Sequence, residues 1–149
     1  KMRRGIFGGK KHETKAKAGK VFGVSIIEVC QRQEQDIPLI VKEITEYLEE
    51  KGLKKEGIFR IPGNATVEEQ LKAHYDGEQN DVTLENCDDV HAVGCLLKLY
   101  LRELPEPLLT FRFYDTFISI QKSNDLFYRM TNIRKLINAL PFNHKPLFC

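Results

Sequence analysis

The chain has 149 residues, which suits one folded domain, and its 42% apolar and 30% charged residues exclude intrinsic disorder. No apolar run reaches the roughly 18 to 20 residues of a membrane-spanning helix, and the N-terminus lacks the apolar core of a signal peptide. We therefore expect a soluble, cytoplasmic protein. Its cysteines, which we expect to be free thiols, are Cys30, Cys87, Cys95 and Cys149.

The net charge of +2 is unevenly distributed along the chain. Residues 1–20 hold eight Lys or Arg and the single acid Glu13, whereas the remainder holds fifteen bases and twenty acids and is net −5. Residues 1–19 are predicted to form a flexible basic arm. Each base near an anionic membrane contributes about 1 kcal/mol of attraction, so residues 1–20 are a candidate for weak membrane-surface contact and recruitment. A solvated tail is the simpler interpretation, and the acidic body argues against nucleic acid.

The folded domain is predicted to cover residues 20–149, because apolar patterning begins at residues 21–24. The first helix predicted has Asp36 as its cap and Pro38 in its first turn. Gly52 is expected to end this helix, and Leu53 to pack back against its last turn. The side chains expected on its buried face are Ile40, Ile44, Tyr47 and Leu48.

Residues 53–63 contain two internal glycines and a proline, which no regular helix accepts, so they are predicted to form a structured loop. The next helix is expected to begin at Asn64 or at Thr66, the latter with Glu69 completing a capping box. It is expected to end at residues 76–77. Its predicted apolar face consists of Val67, Leu71 and Tyr75.

Three further helices are predicted after a polar connection. The first begins near Asp88 or Asp89 and ends at Leu104, before Pro105. The apolar positions expected on these helices are Val90, Val93, Leu97 and Leu101; then Phe113, Phe117 and Ile120; then Leu126, Met130, Ile133, Ile137 and Leu140, ended by Pro141. With no alternating strand pattern, the fold class is all-α. The apolar residues 146–149 resemble the opening of another core helix, so we expect C-terminal helices of the domain to be missing.

Two sequence patterns resemble a phosphate-binding loop and a metal site, but each lacks residues that such a site requires. Residues 5–11 resemble a phosphate-binding P-loop, but three residues rather than four separate the outer glycines, and Lys11 replaces the Ser or Thr. Cys87, His91 and Cys95 share one helix face, but no fourth ligand is in view and the spacing is not that of structural zinc sites. Buried thiols beside a histidine are the better interpretation, and no metal site is predicted.

The residues best suited to chemistry lie on a loop and on the helix after it. Residues 56–64, here called the Arg60 loop, are glycine-flanked and let Arg60 project. Lys98 and Arg102 lie four residues apart on one helix face. Such a set suits a phosphate-bearing target, because guanidinium offers several donors and permanent charge. On spacing alone, the simpler interpretation is favoured. In it, Arg60 is a surface ion-pairing residue, and Lys98 and Arg102 form a solvated stripe with Glu103 and Glu106 as partners.

A resemblance favours the functional interpretation. The sequence Gly-Ile-Phe-Arg-Ile-Pro-Gly-Asn at residues 57–64, followed about 35 residues later by Leu-Lys-Leu-Tyr-Leu-Arg-Glu-Leu-Pro-Glu-Pro-Leu at residues 97–108, resembles the paired signature of the RhoGAP family. Residues 21–24 and 37–38 resemble that family too, so the match runs from about residue 20 to the end.

The resemblance implies a RhoGAP-like helical bundle that docks on a Rho-family small GTPase, of Rho, Rac or Cdc42 type, and accelerates its GTP hydrolysis. Arg60 matches the arginine finger supplied in trans to the GTPase active site. Lys98 is expected at the GTPase interface, and Arg102 is expected to brace the loop. The residues expected to shape or support the loop are Gly57, Phe59, Gly63 and Asn64.

The domain would be no enzyme by itself and would need no cofactor of its own, since GTP and Mg²⁺ would lie on the partner. The alternative is a GTPase-binding module without activating capacity. We also expect Ile58 and Phe59 to anchor the loop backbone, Gly63 and Asn64 to lie where the loop meets the next helix, and Lys98 and Arg102 to share a face beside Arg60.

Overall fold

Six α-helices and no strand make up residues 19–148, which are the residues described by the computed structural model. The helices are α1 (Ile26–Gln33), α2 (Leu39–Tyr47), α3 (Ala65–Tyr75), α4 (Val90–Glu103), α5 (Tyr114–Gln121) and α6 (Leu126–Asn138). A π-helical turn follows α2 at Leu48–Gly52, and 3₁₀ turns occupy Phe111–Phe113 and Lys145–Phe148. The all-α prediction is confirmed. The predicted basic arm lies outside the described residues apart from Gly19.

Helix α4 runs through the core and packs against α2, α3 and the π-helical turn. Its start at Val90, capped by Asp89, and its end before Leu104 are as predicted. The helix turns Leu96 and Tyr100 into the core, so Leu97 and Leu101, which the pattern had placed there, are only partly buried. The fully buried core side chains include Phe22, Ile26, Val29, Ile40, Ile44, Leu71, Val93, Leu96 and Tyr100.

Helix α1 was not predicted. The side chain of Ser25 caps it by accepting a hydrogen bond from the Glu28 backbone N–H at 3.2 Å, and Ile26 and Val29 face the core. A Ser followed three residues later by a Glu is itself a helix-start signal, and it was overlooked. Glu34, with φ of 56°, ends the helix in the left-handed region.

Three predictions about α2 are wrong, two at its start and one after its end. Pro38 precedes α2 instead of lying in its first turn, and Asp36 does not cap it. The Gln33 side-chain oxygen takes that role by accepting from the Leu39 N–H at 2.9 Å. Leu53 is 80% exposed, so it does not pack back against the last turn. The predicted buried side chains of this helix, Ile40, Ile44, Tyr47 and Leu48, are all buried.

Helix α3 lies along α4 and is tied to it near its C-terminal end. The Lys72 ammonium contacts both carboxylate oxygens of Glu103, at 2.8 and 2.9 Å. Glu103 is therefore engaged with α3, not with Lys98 or Arg102 as the surface ion-pairing interpretation proposed.

Helices α5 and α6 pack mainly on each other. Ile120 of α5 is buried, whereas no side chain of α6 is, and Leu126 and Met130 of its apolar stripe are exposed. Leu140, predicted on the same stripe, is buried after the helix has ended. None of the helices in residues 19–148 combines the length and the apolar composition that a membrane-spanning helix requires.

The first residues of the folded part are fixed to the end of α3 by Asp76. One carboxylate oxygen accepts hydrogen bonds from the backbone N–H groups of Val21 at 2.7 Å and Phe22 at 2.9 Å. This holds the Phe22 ring in the core, edge-on to the Tyr100 ring with centroids 5.7 Å apart. Asp76 also follows the last residue of α3, as predicted.

Replacing Asp76 with Ala should lower the free energy of unfolding by about 2 to 3 kcal/mol, because two partly buried N–H groups lose a charged acceptor. Denaturant unfolding followed by circular dichroism measures the change. Asp81→Ala is the matched control, since Asp81 is exposed and its side chain bonds to no described residue, so we expect a change within about 0.5 kcal/mol. Equal losses in the two variants would show that the Asp76 hydrogen bonds contribute nothing.

Candidate functional site

Arg60 lies on a tight turn that Gly57 makes possible. The Gly57 carbonyl accepts hydrogen bonds from the backbone N–H groups of Arg60 and Ile61, both at 2.8 Å. Gly57 has φ of 70°, in the left-handed region that side chains disfavour. A Cβ at this position would also lie 2.8 Å from the Ile61 side chain. The predicted role of Gly57 in shaping the loop therefore has a geometric basis.

The Arg60 guanidinium faces solvent. Its side chain is 77% exposed, and its nearest carboxylate, Glu56, lies 3.9 Å away and is almost fully exposed itself. Exposed pairs at this distance contribute little, because water screens them and holding two long side chains costs entropy. The guanidinium is therefore available to an incoming anionic group.

The backbone of the Arg60 loop lies directly on the backbone of α4. A Cβ added to Gly63 would lie 2.0 Å from the backbone nitrogen of Ala92, and one added to Gly94 would lie 2.7 Å from the Ile58 carbonyl oxygen. Both distances are shorter than any real contact of a Cβ atom, so only glycine fits at either position. Gly63 was predicted to support the loop, and Gly94 was missed.

Ile58 and Phe59 differ in how they anchor the loop. Ile58 is partly buried and packs against the core, as predicted. Phe59 is 51% exposed, so the prediction that its side chain anchors the backbone is wrong. One edge of its ring lies over Gly94, where the missing side chain leaves room, and the rest faces solvent.

Of the two predicted basic side chains on α4, only Lys98 contacts the loop. Its ammonium donates a hydrogen bond to the Phe59 carbonyl at 2.8 Å, across 39 residues of sequence. Arg102 is exposed and makes no hydrogen bond or ion pair with any residue in the described range. The bracing contact that the resemblance implied for Arg102 is made here by Lys98.

The junction between the loop and α3 is formed by Asn64. Its side-chain oxygen accepts from the backbone N–H groups of Thr66 at 2.9 Å and Val67 at 3.4 Å, so Asn64 is the cap of α3. Thr66 lies inside the helix, which rules out the alternative start. Gly63 and Asn64 therefore lie where the loop meets the helix, as predicted.

Asp89 joins this junction to α4, a contact that sequence analysis missed. One of its carboxylate oxygens accepts from the Ala92 N–H at 3.0 Å and caps α4, and the other accepts from the Asn64 N–H at 2.8 Å. These bonds, the one from Asn64 first, hold the pKa of the Asp89 carboxyl below its usual range against the opposing effect of burial. The capping role was visible in the sequence, but the bond to a residue 25 positions away was not.

The cysteines on and before α4 are not part of this site. Burial is the largest cause of the raised pKa of the Cys87 thiol, which favours its protonated form. In the stretch from residue 19 to residue 148, no group of three or more His, Cys, Asp or Glu side chains is arranged to hold a metal ion.

Comparison with known proteins gives a consistent result. The family model for the RhoGAP domain matches residues 38–149. The chain is 46% identical over 123 residues to Rho GTPase-activating protein gacJJ of Dictyostelium discoideum, covering 82% of this chain and 14% of that protein. It is 37% identical over 123 residues to Rho GTPase-activating protein 12 of Mus musculus, covering 82% of this chain and 15% of that protein.

Solved structures agree with these relatives. The crystal structure of human Rho GTPase activating protein 15 superposes with a TM-score of 0.76 at 28% identity, covering 97% of this chain and 69% of that one. The chain spans only about one seventh of the length of the curated relatives named above. Since the RhoGAP model matches well over half of the residues, the chain belongs to the RhoGAP domain family.

Proposed function

We propose that this domain accelerates GTP hydrolysis on a Rho-family small GTPase by inserting Arg60 into the partner's nucleotide site. The observation that carries the proposal is the combination of an exposed guanidinium with a loop backbone fixed to α4. The relatives are named as Rho GTPase-activating proteins, which supports the same activity for this chain.

The chemistry that Arg60 would supply is electrostatic. In GTP hydrolysis, negative charge develops on the transferring phosphoryl group and on the leaving oxygen. A guanidinium placed there accelerates the reaction by roughly 10³ to 10⁵, which corresponds to about 4 to 7 kcal/mol of the barrier. The nucleotide, Mg²⁺ and attacking water would all belong to the partner.

The fixed loop would lower the cost of placing that charge. Gly63 and Gly94 hold the loop against α4 from both sides of Arg60, and Lys98 fixes the carbonyl of the residue just before it. Little backbone freedom then remains to be lost when the partner binds, so more of the binding energy can act on the transition state. The weak contact with Glu56 is easily exchanged for phosphate oxygens.

Substituting Arg60 should affect rate far more than affinity. In single-turnover hydrolysis with a GTP-loaded Rho, Rac or Cdc42-type GTPase, Arg60→Ala should lose about 10³-fold or more of the stimulation. Binding to the GTP-loaded partner should weaken by only about tenfold. Arg60→Lys should recover little, because an ammonium cannot reproduce the planar, multidentate guanidinium.

Arg134→Ala serves as the control, since Arg134 is an exposed arginine on α6 that bonds to no residue in the described part of the chain. Near-full stimulation by Arg60→Ala would disprove the role of Arg60 and leave ordering of the partner's own residues as the mechanism. Binding without acceleration by the unmodified chain would instead favour the binding module.

Lys98 and Arg102 should differ in their effect on the loop. Lys98→Met keeps the side-chain stem but removes the ammonium, so amide hydrogen exchange at Arg60 and Ile61 should rise about fivefold, as expected for loss of a partly exposed hydrogen bond of about 1 kcal/mol. Arg102→Met is the matched control and should leave exchange unchanged. Faster exchange in the Arg102 variant alone would show that Arg102 braces the loop.

A further inference from the structure

We propose that Asp89 is a positioning residue for Arg60, because its carboxylate fixes the end of the Arg60 loop to the start of α4. This inference rests on the proposed function and names a residue through which Arg60 would be held. Asp89 does not lie on the loop and would not touch the nucleotide. Its effect would reach Arg60 only through the backbone between residues 60 and 64.

The two carboxylate oxygens of Asp89 serve two different segments. One caps α4 through Ala92, and the other takes the Asn64 N–H, which belongs to the residue that caps α3. A single side chain thus sets the starts of α3 and α4 relative to each other. A cap with a single acceptor oxygen lacks the second oxygen that takes the Asn64 N–H.

The bond from Asn64 lies at the point where the two backbones touch. Gly63, the residue before Asn64, approaches the Ala92 nitrogen so closely that no Cβ fits between them. The Asp89 carboxylate accepts an N–H from each side of this contact, from Asn64 on the loop and from Ala92 on α4. The lowered pKa of Asp89, caused first by the Asn64 N–H, supports a carboxylate engaged by both.

The substitution Asp89→Asn separates the two roles. Asn is as good a helix cap as Asp, so its oxygen can keep the bond to Ala92. The amide group then faces the Asn64 N–H with a donor instead of an acceptor, and that bond is lost. Asp89→Ser is a second variant, because its shorter hydroxyl can cap α4 and has no second acceptor for Asn64.

Asp125→Asn is the matched control. The Asp125 carboxylate caps α6 through one hydrogen bond, from the Tyr128 N–H at 3.1 Å, and accepts no second one from the described residues. The same chemical change is therefore made at a helix cap away from the Arg60 loop. Melting curves of all variants separate a general loss of folded protein from a local effect.

Two measurements test the proposal. Amide exchange at Asn64 in the free chain should rise about tenfold in Asp89→Asn and Asp89→Ser, as expected for loss of a hydrogen bond to a charged acceptor. In the hydrolysis assay, the maximal stimulated rate should fall about tenfold, equal to about 1.4 kcal/mol of the barrier, while the concentration for half-maximal stimulation stays within about threefold. Asp125→Asn should change neither.

The outcomes distinguish this inference from the proposed function. An active unmodified chain, an inactive Arg60→Ala variant and full activity in both Asp89 variants would overturn the inference alone. Unchanged exchange at Asn64 would also overturn it, whatever the rates. An unmodified chain that stimulates no GTPase would overturn the proposed function and, with it, the positioning role.

Discussion

The direct contact between the backbone of the Arg60 loop and that of α4 is the constraint on which the site depends. At Gly63 and at Gly94 the two backbones lie too close for any side chain, so the loop cannot move outward or shift along α4 without losing that fit. Packing of this kind has steep energetic consequences, because an added methyl group must displace backbone instead of a flexible side chain. The position of Arg60 follows from the placement of α4 in the core.

Hydrogen bonds from two side chains, one at the start of α4 and one further along it, also hold the loop backbone against this helix. Asp89 at its start accepts the N–H of Asn64, and Lys98 further along donates to the carbonyl of Phe59. Both side chains bond to backbone atoms of the loop and leave the Arg60 side chain unengaged except for a long contact with Glu56. A rigid backbone that carries a free guanidinium is suited to a reaction in which the charge to be stabilised appears only in the transition state.

Features of the fold and of the site that depend on neighbouring residues could mostly be predicted from the sequence. The Asn64 cap, the limits of α4 and the irregular loop before Asn64 each depend on residues within a few positions of one another. The prediction of α1 failed although its Ser25 and Glu28 signal is equally local. The prediction of which α4 side chains are buried was partly wrong. Apolar residues cover a wide face of this helix, and only tertiary packing decides which part of that face points into the core.

What was not predictable depends on contacts between distant residues. Three contacts of this kind join segments 25 or more residues apart. They are the hydrogen bond between Asp89 and Asn64, the close approach of Gly94 to Ile58, and the hydrogen bond from Lys98 to the Phe59 carbonyl. Leu53 and Phe59, which were expected to pack inward, are 80% and 51% exposed. The assignment of Arg60 itself came from resemblance, as composition and spacing left it open.

The most direct test of the account compares the affinity of the domain for ground-state and transition-state forms of the same GTPase. GDP with aluminium fluoride imitates the transferring phosphoryl group, and a nonhydrolysable GTP analogue imitates the substrate. If Arg60 acts in the transition state, the unmodified chain should bind the fluoride complex at least about 10²-fold more tightly than the analogue complex, and Arg60→Ala should lose that preference. Equal affinity of the unmodified chain for both forms, or a preference that survives in Arg60→Ala, would contradict the account.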